Sequence, residues 1–185
     1  MFTKENLIDS CKNLVQSVDS HKKIRDYLAA CLDDCGQVAA QLGEPREAGF
    51  DLLYRSDDLT IINFVWAPGM ILFPHNHNMW AVIGIYTGRE DNIFWRRTEG
   101  SQIEAAGATS MSVREAHPLG KDIIHSVTNP IEKLTGAIHI YGGDFFEEER
   151  SEWDPESLSE RRYDVEKNAR LFREANARFK MAAPA

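Results

Sequence analysis

Two histidines one residue apart open an apolar segment, FPHNHNMWAVIGIYTG, that begins at Phe73. Residues i and i+2 of a strand lie on the same face, so His75 and His77 project together. Pro74 suits the start of a strand and disfavours a helix. Neutral imidazoles beside apolar neighbours are costly unless a partner satisfies their nitrogens. Hydrogen bonds to the backbone would do so, but we interpret the pair as metal ligands.

The remaining histidines fall in segments of different type. His125 in DIIHSV and His139 in TGAIHIYGG lie in strand-like stretches, and His125 is expected on a strand that faces the first pair. His139 could be a ligand, a hydrogen-bond donor behind the ligands, or a satisfied core histidine, and we favour the donor. His117 in EAHPLG is predicted to lie in a loop. His21 is predicted to lie on a helix surface.

The spacing of apolar residues changes along the chain and predicts a mainly β protein with helices at both ends. Residues 4–43 show helical spacing, and from about residue 52 short β-branched or aromatic runs alternate with Gly, Pro, Asn or Asp. Such short strands indicate an antiparallel sandwich or barrel. Beyond Phe146 the pattern is again helical. We predict one domain made of N-terminal helices (1–47), a β-barrel (48–147) and a C-terminal helical extension (148–185).

Composition limits the classes of partner. Acidic residues outnumber basic ones, 29 to 21, and the net charge is −8. This balance argues against binding to nucleic acid or to an anionic membrane surface. No run approaches transmembrane length, and MFTKENLIDSCKN lacks the features of a signal peptide. Cys11, Cys31 and Cys35 do not suggest a disulfide framework, so we expect reduced thiols in a cytoplasmic protein.

The glycine and histidine spacing resembles the two motifs of the cupin superfamily. The first motif places His75 and His77 between Gly69 and Gly88, with Ala81 where the family has glutamate. The second is suggested by PLGKDIIHSVTN, in which the gap between glycine and His125 is two residues longer than usual. The resemblance implies a double-stranded β-helix, or jelly-roll barrel, and a metal held by three histidines.

Within that superfamily the chain resembles the thiol dioxygenases, which also lack the glutamate and bind iron through three histidines. Those enzymes carry a Ser-x-His-x-Tyr series on a later strand, where this chain has Ala137, His139 and Tyr141. The resemblance implies that His139 and Tyr141 orient and polarise bound oxygen or substrate. It also implies that Arg150 binds a substrate carboxylate. Ala137 departs from the pattern and removes one hydroxyl.

Three neutral ligands would suit this chemistry. Imidazole binds divalent iron, nickel, copper or zinc, and three of them leave the ion its full charge and open positions. A thiol bound there loses its proton readily and supplies the anion that glutamate gives elsewhere. We therefore expect Fe(II), with nickel, manganese or zinc as alternatives, a small thiol and O2 as substrates, and a homodimer as an option.

Other interpretations remain open. The same metal could serve a lyase, an isomerase or another dioxygenase, with Tyr141 as a general base, or the barrel could be a non-catalytic ligand sensor. Arg150 could instead form an exposed ion pair. Arg89, Arg96 and Arg97 are rival candidates for the anion partner. Glu90 and Asp91 are expected to lie away from the histidines because they follow a turn.

Overall fold

Two antiparallel sheets form the body of the protein, for which a computed structural model describes residues 1–100 and 102–182. One sheet has the strand order β1-β2-β9-β4-β7, and the other has β11-β10-β3-β8-β5-β6. The strands are β1 (Gly49–Arg55), β2 (Thr60–Trp66), β3 (Ile71–Asn76), β4 (Ala81–Thr87), β5 (Arg89–Arg97), β6 (Ile103–Ser112), β7 (Ala116–Leu119), β8 (Ile124–Thr128), β9 (Thr135–Tyr141), β10 (Ser151–Trp153) and β11 (Glu160–Arg162).

Helices lie at both ends of the chain. The predicted fold class, a mainly β double-stranded β-helix with flanking helices, is confirmed. Within the described residues, no helix combines the length and the apolar character needed to cross a membrane. The helices are α1 (Lys4–Val15), α2 (Ser20–Cys31), α3 (Cys35–Leu42) and α4 (Val165–Ala182). A short 3-10 turn at Leu32–Asp34 separates α2 from α3.

The centre of the first sheet is covered on both faces, which explains the almost continuous apolar sequences of β2, β4 and β9. Its outer face packs against the N-terminal helices, where Leu28 and Leu32 meet Val82 and Ile140 in one buried cluster. Its inner face packs against the second sheet. As a result β2 and β9 are buried along their whole length. A strand buried on both faces cannot alternate apolar and polar residues, and these strands do not.

The spacing of apolar residues did not predict several of the strands. β6 reads IEAAGATSMS and is mostly exposed, and β10 and β11 have three residues each. The interpretation of His117 as a loop residue was wrong, because it lies in β7. The extension predicted as helical from residue 148 first adds β10 and β11 to the second sheet, and α4 begins only at Val165. Short or exposed strands bury too little apolar surface to leave a clear pattern.

We predict that Gly84→Val destabilises the protein, because helix α2 lies directly against β4 at this residue. A Cβ added to Gly84 would lie 2.6 Å from Cδ2 of Leu28. Such overpacking costs about 1–3 kcal/mol of unfolding free energy, measurable by urea denaturation. Gly49→Val is the matched control, since no heavy atom lies within 4 Å of a Cβ added in β1. Equal losses in both variants would contradict the close approach of α2 to the sheet.

Candidate metal centre

Three histidines from two neighbouring strands converge between the sheets. His75 lies in β3, directly opposite His125 of β8 in the antiparallel ladder, and His77 follows the end of β3. One ring nitrogen from each lies within 4.8 Å of the others, and all three side chains are buried. The three residues that the sequence singled out as metal ligands therefore form a group that can hold one divalent ion.

Hydrogen bonds orient two of these rings. Nδ1 of His75 lies 2.8 Å from the carbonyl oxygen of Phe73, and Nδ1 of His125 lies 2.6 Å from Oδ1 of Asn92. Both partners only accept, so each Nδ1 donates and each neutral ring keeps a lone pair on Nε2. Nε2 of His77 lies 3.2 Å from Nε2 of His125. A divalent cation can take the place of the hydrogen between these two nitrogens, so the donor set fits a metal.

Burial keeps the three rings uncharged. It lowers the pKa of His75 to about 4 and lowers the pKa values of His77 and His125 well below the ordinary value. Repulsion between neighbouring imidazolium charges acts in the same direction for His77 and His125. Neutral imidazole is the form that binds metals. The site is therefore ready to bind an ion at neutral pH without first losing protons.

A cavity of about 140 Å³ opens beside the three histidines. Side chains from both sheets and from α4 line it, and most of its wall is aromatic or aliphatic. A cavity of about 150 Å³ accommodates a molecule the size of benzene. Room thus exists next to the candidate metal position for a small organic molecule. Aromatic side chains in the wall include Phe64, Trp66, Phe145 and Phe172.

His139 and Tyr141 form a second, linked pair on the cavity wall. Both lie on β9, and Nδ1 of His139 is 3.0 Å from the hydroxyl of Tyr141. The Tyr141 ring lies 5.0 Å from that of His77, edge to face. Ala137 lies on the same strand face and is also buried. His139 falls outside the group of three that can hold a metal, and its role as a donor behind the ligands stays a prediction.

The guanidinium of Arg150 lies in the same cavity without an acidic partner among the described residues. It is stacked between the rings of Phe145 and Tyr163, at 3.9 and 4.4 Å from their centroids. Its Nη1 is buried and makes no hydrogen bond within residues 1–100 and 102–182. Burial lowers the pKa of Arg150, which reflects the cost of keeping this charge away from water. The interpretation of Arg150 as half of an exposed ion pair was therefore wrong.

The rival arginines already have acidic partners. Arg89 binds Asp91, Arg96 binds Glu104 and Arg97 binds Glu160. All three ion pairs lie at the surface, and none of these arginines lines the cavity. Among the four candidate arginines, only Arg150 offers free donors inside the cavity. It remains our prediction for the carboxylate-binding residue.

Sequence reasoning missed two polar residues of β5. We expected Glu90 to lie away from the histidines, but it is fully buried, with Oε2 3.4 Å from Nε2 of His139. Asn92, on the same strand face, contacts His125. β5 pairs with β8, which turns this face toward the histidines. The i, i+2 spacing of Glu90 and Asn92 was the available signal, and only Asp91 between them points outward as expected.

Comparison with known proteins found solved structures that are similar to part of this chain. No protein-family model matches the chain. An RmlC-like cupin family protein with a double-stranded β-helix fold from Methanocaldococcus jannaschii is similar over 56% of this chain and 86% of its own, at 10% identity and a TM-score of 0.47. A cupin superfamily protein from Desulfitobacterium hafniense DCB-2 is similar over 57% of this chain and 87% of its own, at 18% identity and a TM-score of 0.45.

One similar structure belongs to an enzyme, the DMSP lyase DddQ from Ruegeria pomeroyi DSS-3. The similarity covers 60% of this chain and 54% of the lyase, at 16% identity and a TM-score of 0.47. The chain therefore spans about half the length of that protein. Structures similar to this chain thus include cupin-family proteins.

We predict that the metal-free protein loses stability as the pH falls from about 6.5 toward about 4. The folded-state pKa of His75 is about 4, against an ordinary value of 6.5. Between these values the unfolded chain binds a proton that the folded chain does not, so acid favours unfolding. His75 alone accounts for roughly 3 kcal/mol. Urea denaturation of chelator-treated protein at about pH 7.5 and about pH 4.5 measures the loss.

Two histidine variants test the source of that acid sensitivity. His75→Gln removes the buried imidazole. We expect the unfolding free energies at the two pH values to differ by less in this variant, because most of the His75 contribution is lost. His21→Gln, in helix α2 outside the cavity, is the matched control and is expected to keep the full difference. An unchanged difference in His75→Gln would exclude the buried ring as the cause.

Proposed function

We propose that this protein is a mononuclear non-haem iron(II) dioxygenase that oxidises the sulfur of a small mercapto-carboxylate. The reaction consumes one thiol and one O2 and yields one sulfinic acid, so that RSH + O2 gives RSO2H. The observation that carries the proposal is the guanidinium of Arg150, whose buried Nη1 has no hydrogen-bond partner among the described residues, in the same small cavity as three neutral imidazoles.

His75, His77 and His125 would hold the iron. When bound, iron(II) supplies the Lewis acidity that favours a thiolate and the redox chemistry that activates O2. Three neutral ligands provide no negative charge, so an anionic substrate atom is favoured beside them. Ala81, which stands where the cupin pattern has glutamate, is fully buried and adds no donor. A sulfur anion from the substrate would take that role.

The cavity wall favours a substrate with one negative group and no positive one. Arg150 is its only permanently charged side chain, and no Asp or Glu of the described residues lines it. A substrate carboxylate would accept charge-assisted hydrogen bonds from the guanidinium, which is held between two aromatic rings. An ammonium group would find no carboxylate to pair with. We therefore infer a mercapto-carboxylate that lacks an amino group.

Tyr141 and His139 would orient the substrate. The Tyr141 hydroxyl contacts His139, and Tyr141 lines the cavity. Burial raises the pKa of Tyr141 well above its ordinary value, which keeps the phenol protonated. A lyase that needs Tyr141 as a phenolate base is therefore less well supported than a reaction in which the neutral phenol forms hydrogen bonds.

Metal analysis followed by an oxygen-electrode screen tests the proposal. Protein purified without added metal, then loaded with Fe(II), is expected to bind one iron per chain and to consume O2 with 3-mercaptopropionate. Mass spectrometry should detect the sulfinic acid, and His77→Ala should lose both iron and activity. Iron-loaded protein that consumes no O2 with any of a broad panel of thiols would refute the proposal, as would release of an alkenoate without O2 uptake.

We predict that Arg150→Gln raises KM for 3-mercaptopropionate about 10-fold or more, because hydrogen bonds to charged groups contribute about 1.5–3 kcal/mol. The uncharged thiol 2-mercaptoethanol lacks the carboxylate, so its kcat/KM should change little. Arg96→Gln is the matched control, since it removes an exposed guanidinium paired with Glu104. Equal losses with both thiols in Arg150→Gln would contradict a carboxylate-binding role.

A further inference from the structure

Glu90 is a fully buried carboxylate linked to one candidate metal ligand through an amide. Its Oε1 accepts a hydrogen bond from Nδ2 of Asn92 at 3.0 Å. That bond turns the other end of the amide, Oδ1, toward Nδ1 of His125 at 2.6 Å. An amide oxygen only accepts, so Nδ1 of His125 must donate. The neutral ring then keeps its lone pair on Nε2, the nitrogen that faces His77.

The other oxygen of Glu90 faces the second histidine pair. Oε2 accepts a hydrogen bond from Nε1 of Trp66 at 2.9 Å and lies 3.4 Å from Nε2 of His139. This distance is longer than an ideal hydrogen bond, and Nε2 makes no other hydrogen bond within the described part of the chain. A lone pair on Nε2 would be repelled by the carboxyl oxygen, whereas an N–H would be attracted. The hydrogen of His139 is therefore favoured on Nε2.

A hydrogen on Nε2 determines what Tyr141 can do. In a neutral ring it leaves Nδ1 of His139 as an acceptor, and the Tyr141 hydroxyl lies 3.0 Å from that nitrogen. Tyr141 then donates its hydrogen to His139. The hydroxyl oxygen keeps its lone pairs for the cavity, where it can accept a hydrogen bond but cannot donate one.

We propose that Glu90 is a positioning residue that sets the direction of two sets of hydrogen bonds, one through Asn92 to His125 and the other through His139 to Tyr141. Through Asn92 it keeps Nε2 of His125 available as a ligand, and through His139 it makes Tyr141 an acceptor toward the cavity. Ala137 offers His139 no hydroxyl, and Glu90, reaching across from the opposite sheet, provides the acceptor instead. The role of the Tyr141 oxygen in catalysis rests on the proposed function. The directions of the hydrogen bonds do not depend on it.

Nitrogen NMR tests the proposal on the unmodified protein. Long-range ¹H–¹⁵N spectra of ¹⁵N-histidine-labelled full-length protein distinguish a ring with its hydrogen on Nε2 from one with a hydrogen on Nδ1. Spectra are recorded on chelator-treated and on Zn²⁺-loaded samples, both diamagnetic, and His139→Asn assigns the signal. We expect His139 to carry hydrogen on Nε2 with a bare Nδ1. A hydrogen on Nδ1 of His139 would overturn the proposal.

Glu90→Gln tests the cause. A glutamine has one acceptor oxygen where glutamate has two. It can therefore accept a hydrogen bond from either Asn92 or His139, and the hydrogen bond to the other residue must reverse its direction. We expect at least one of His125 and His139 to change its protonated nitrogen, and kcat of the iron-loaded enzyme to fall about 10–100-fold. Asp91→Asn, the control, removes the same charge from the next residue, which faces outward and pairs with Arg89. Unchanged signals for both histidines in folded Glu90→Gln would also overturn the proposal.

The NMR result and the activity assay separate the two proposals. If the histidine signals match the expectation but no thiol is oxidised, the role of Glu90 stands and the proposed function fails. If a thiol is oxidised but His139 carries its hydrogen on Nδ1, the function stands and the role of Glu90 fails.

Discussion

The protein depends on holding three uncharged imidazoles together in a place that water reaches poorly. Burial lowers their pKa values, so the rings stay neutral, and each unsatisfied nitrogen then becomes costly. The carbonyl of Phe73 and the amide of Asn92 satisfy one nitrogen on each of two rings. The nitrogens left over face one another across a small space. A divalent cation held there would accept a lone pair from one nitrogen of each ring.

Charge in the cavity then favours a particular kind of occupant. Three neutral ligands leave a bound cation uncompensated, and Arg150 adds a second positive charge in the same space. The buried carboxylate of Glu90 is engaged by Trp66 and Asn92 and lies outside the group of three histidines. Under the proposed function, an anionic small molecule would supply the negative charge that the protein omits. The mostly apolar wall limits the rest of that molecule to a short uncharged body.

The two ends of the chain serve the barrel differently. The N-terminal helices cover the outer face of the first sheet and stabilise it by apolar packing. The C-terminal segment instead closes the cavity. Glu152 of β10 lies opposite His75 in the ladder, is buried, and accepts hydrogen bonds from Lys167 and Asn168 of α4. This cluster of charged and polar groups fixes α4 beside the histidines and brings Arg150 to the cavity wall.

The sequence by itself determined the features that depend on near neighbours along the chain. The shared faces of His75 with His77 and of His139 with Tyr141, and the helical ends, follow from local periodicity. The double-stranded β-helix was implied by the resemblance of the two motifs to the cupin superfamily. Arg150 came from a family resemblance alone, because nothing local distinguishes it from other arginines in acidic surroundings.

Only the tertiary structure decided which distant residues meet. The pairing of β5 with β8 brought Glu90 to the histidines, against our expectation, together with Asn92. The C-terminal segment with α4 closed the cavity. The physical reason is that strand register and helix docking arise from burial summed over the whole core. A buried carboxylate such as Glu90 is tolerated because Trp66 of β2 and Asn92 of β5 donate hydrogen bonds to it, and Trp66 lies far away in the sequence.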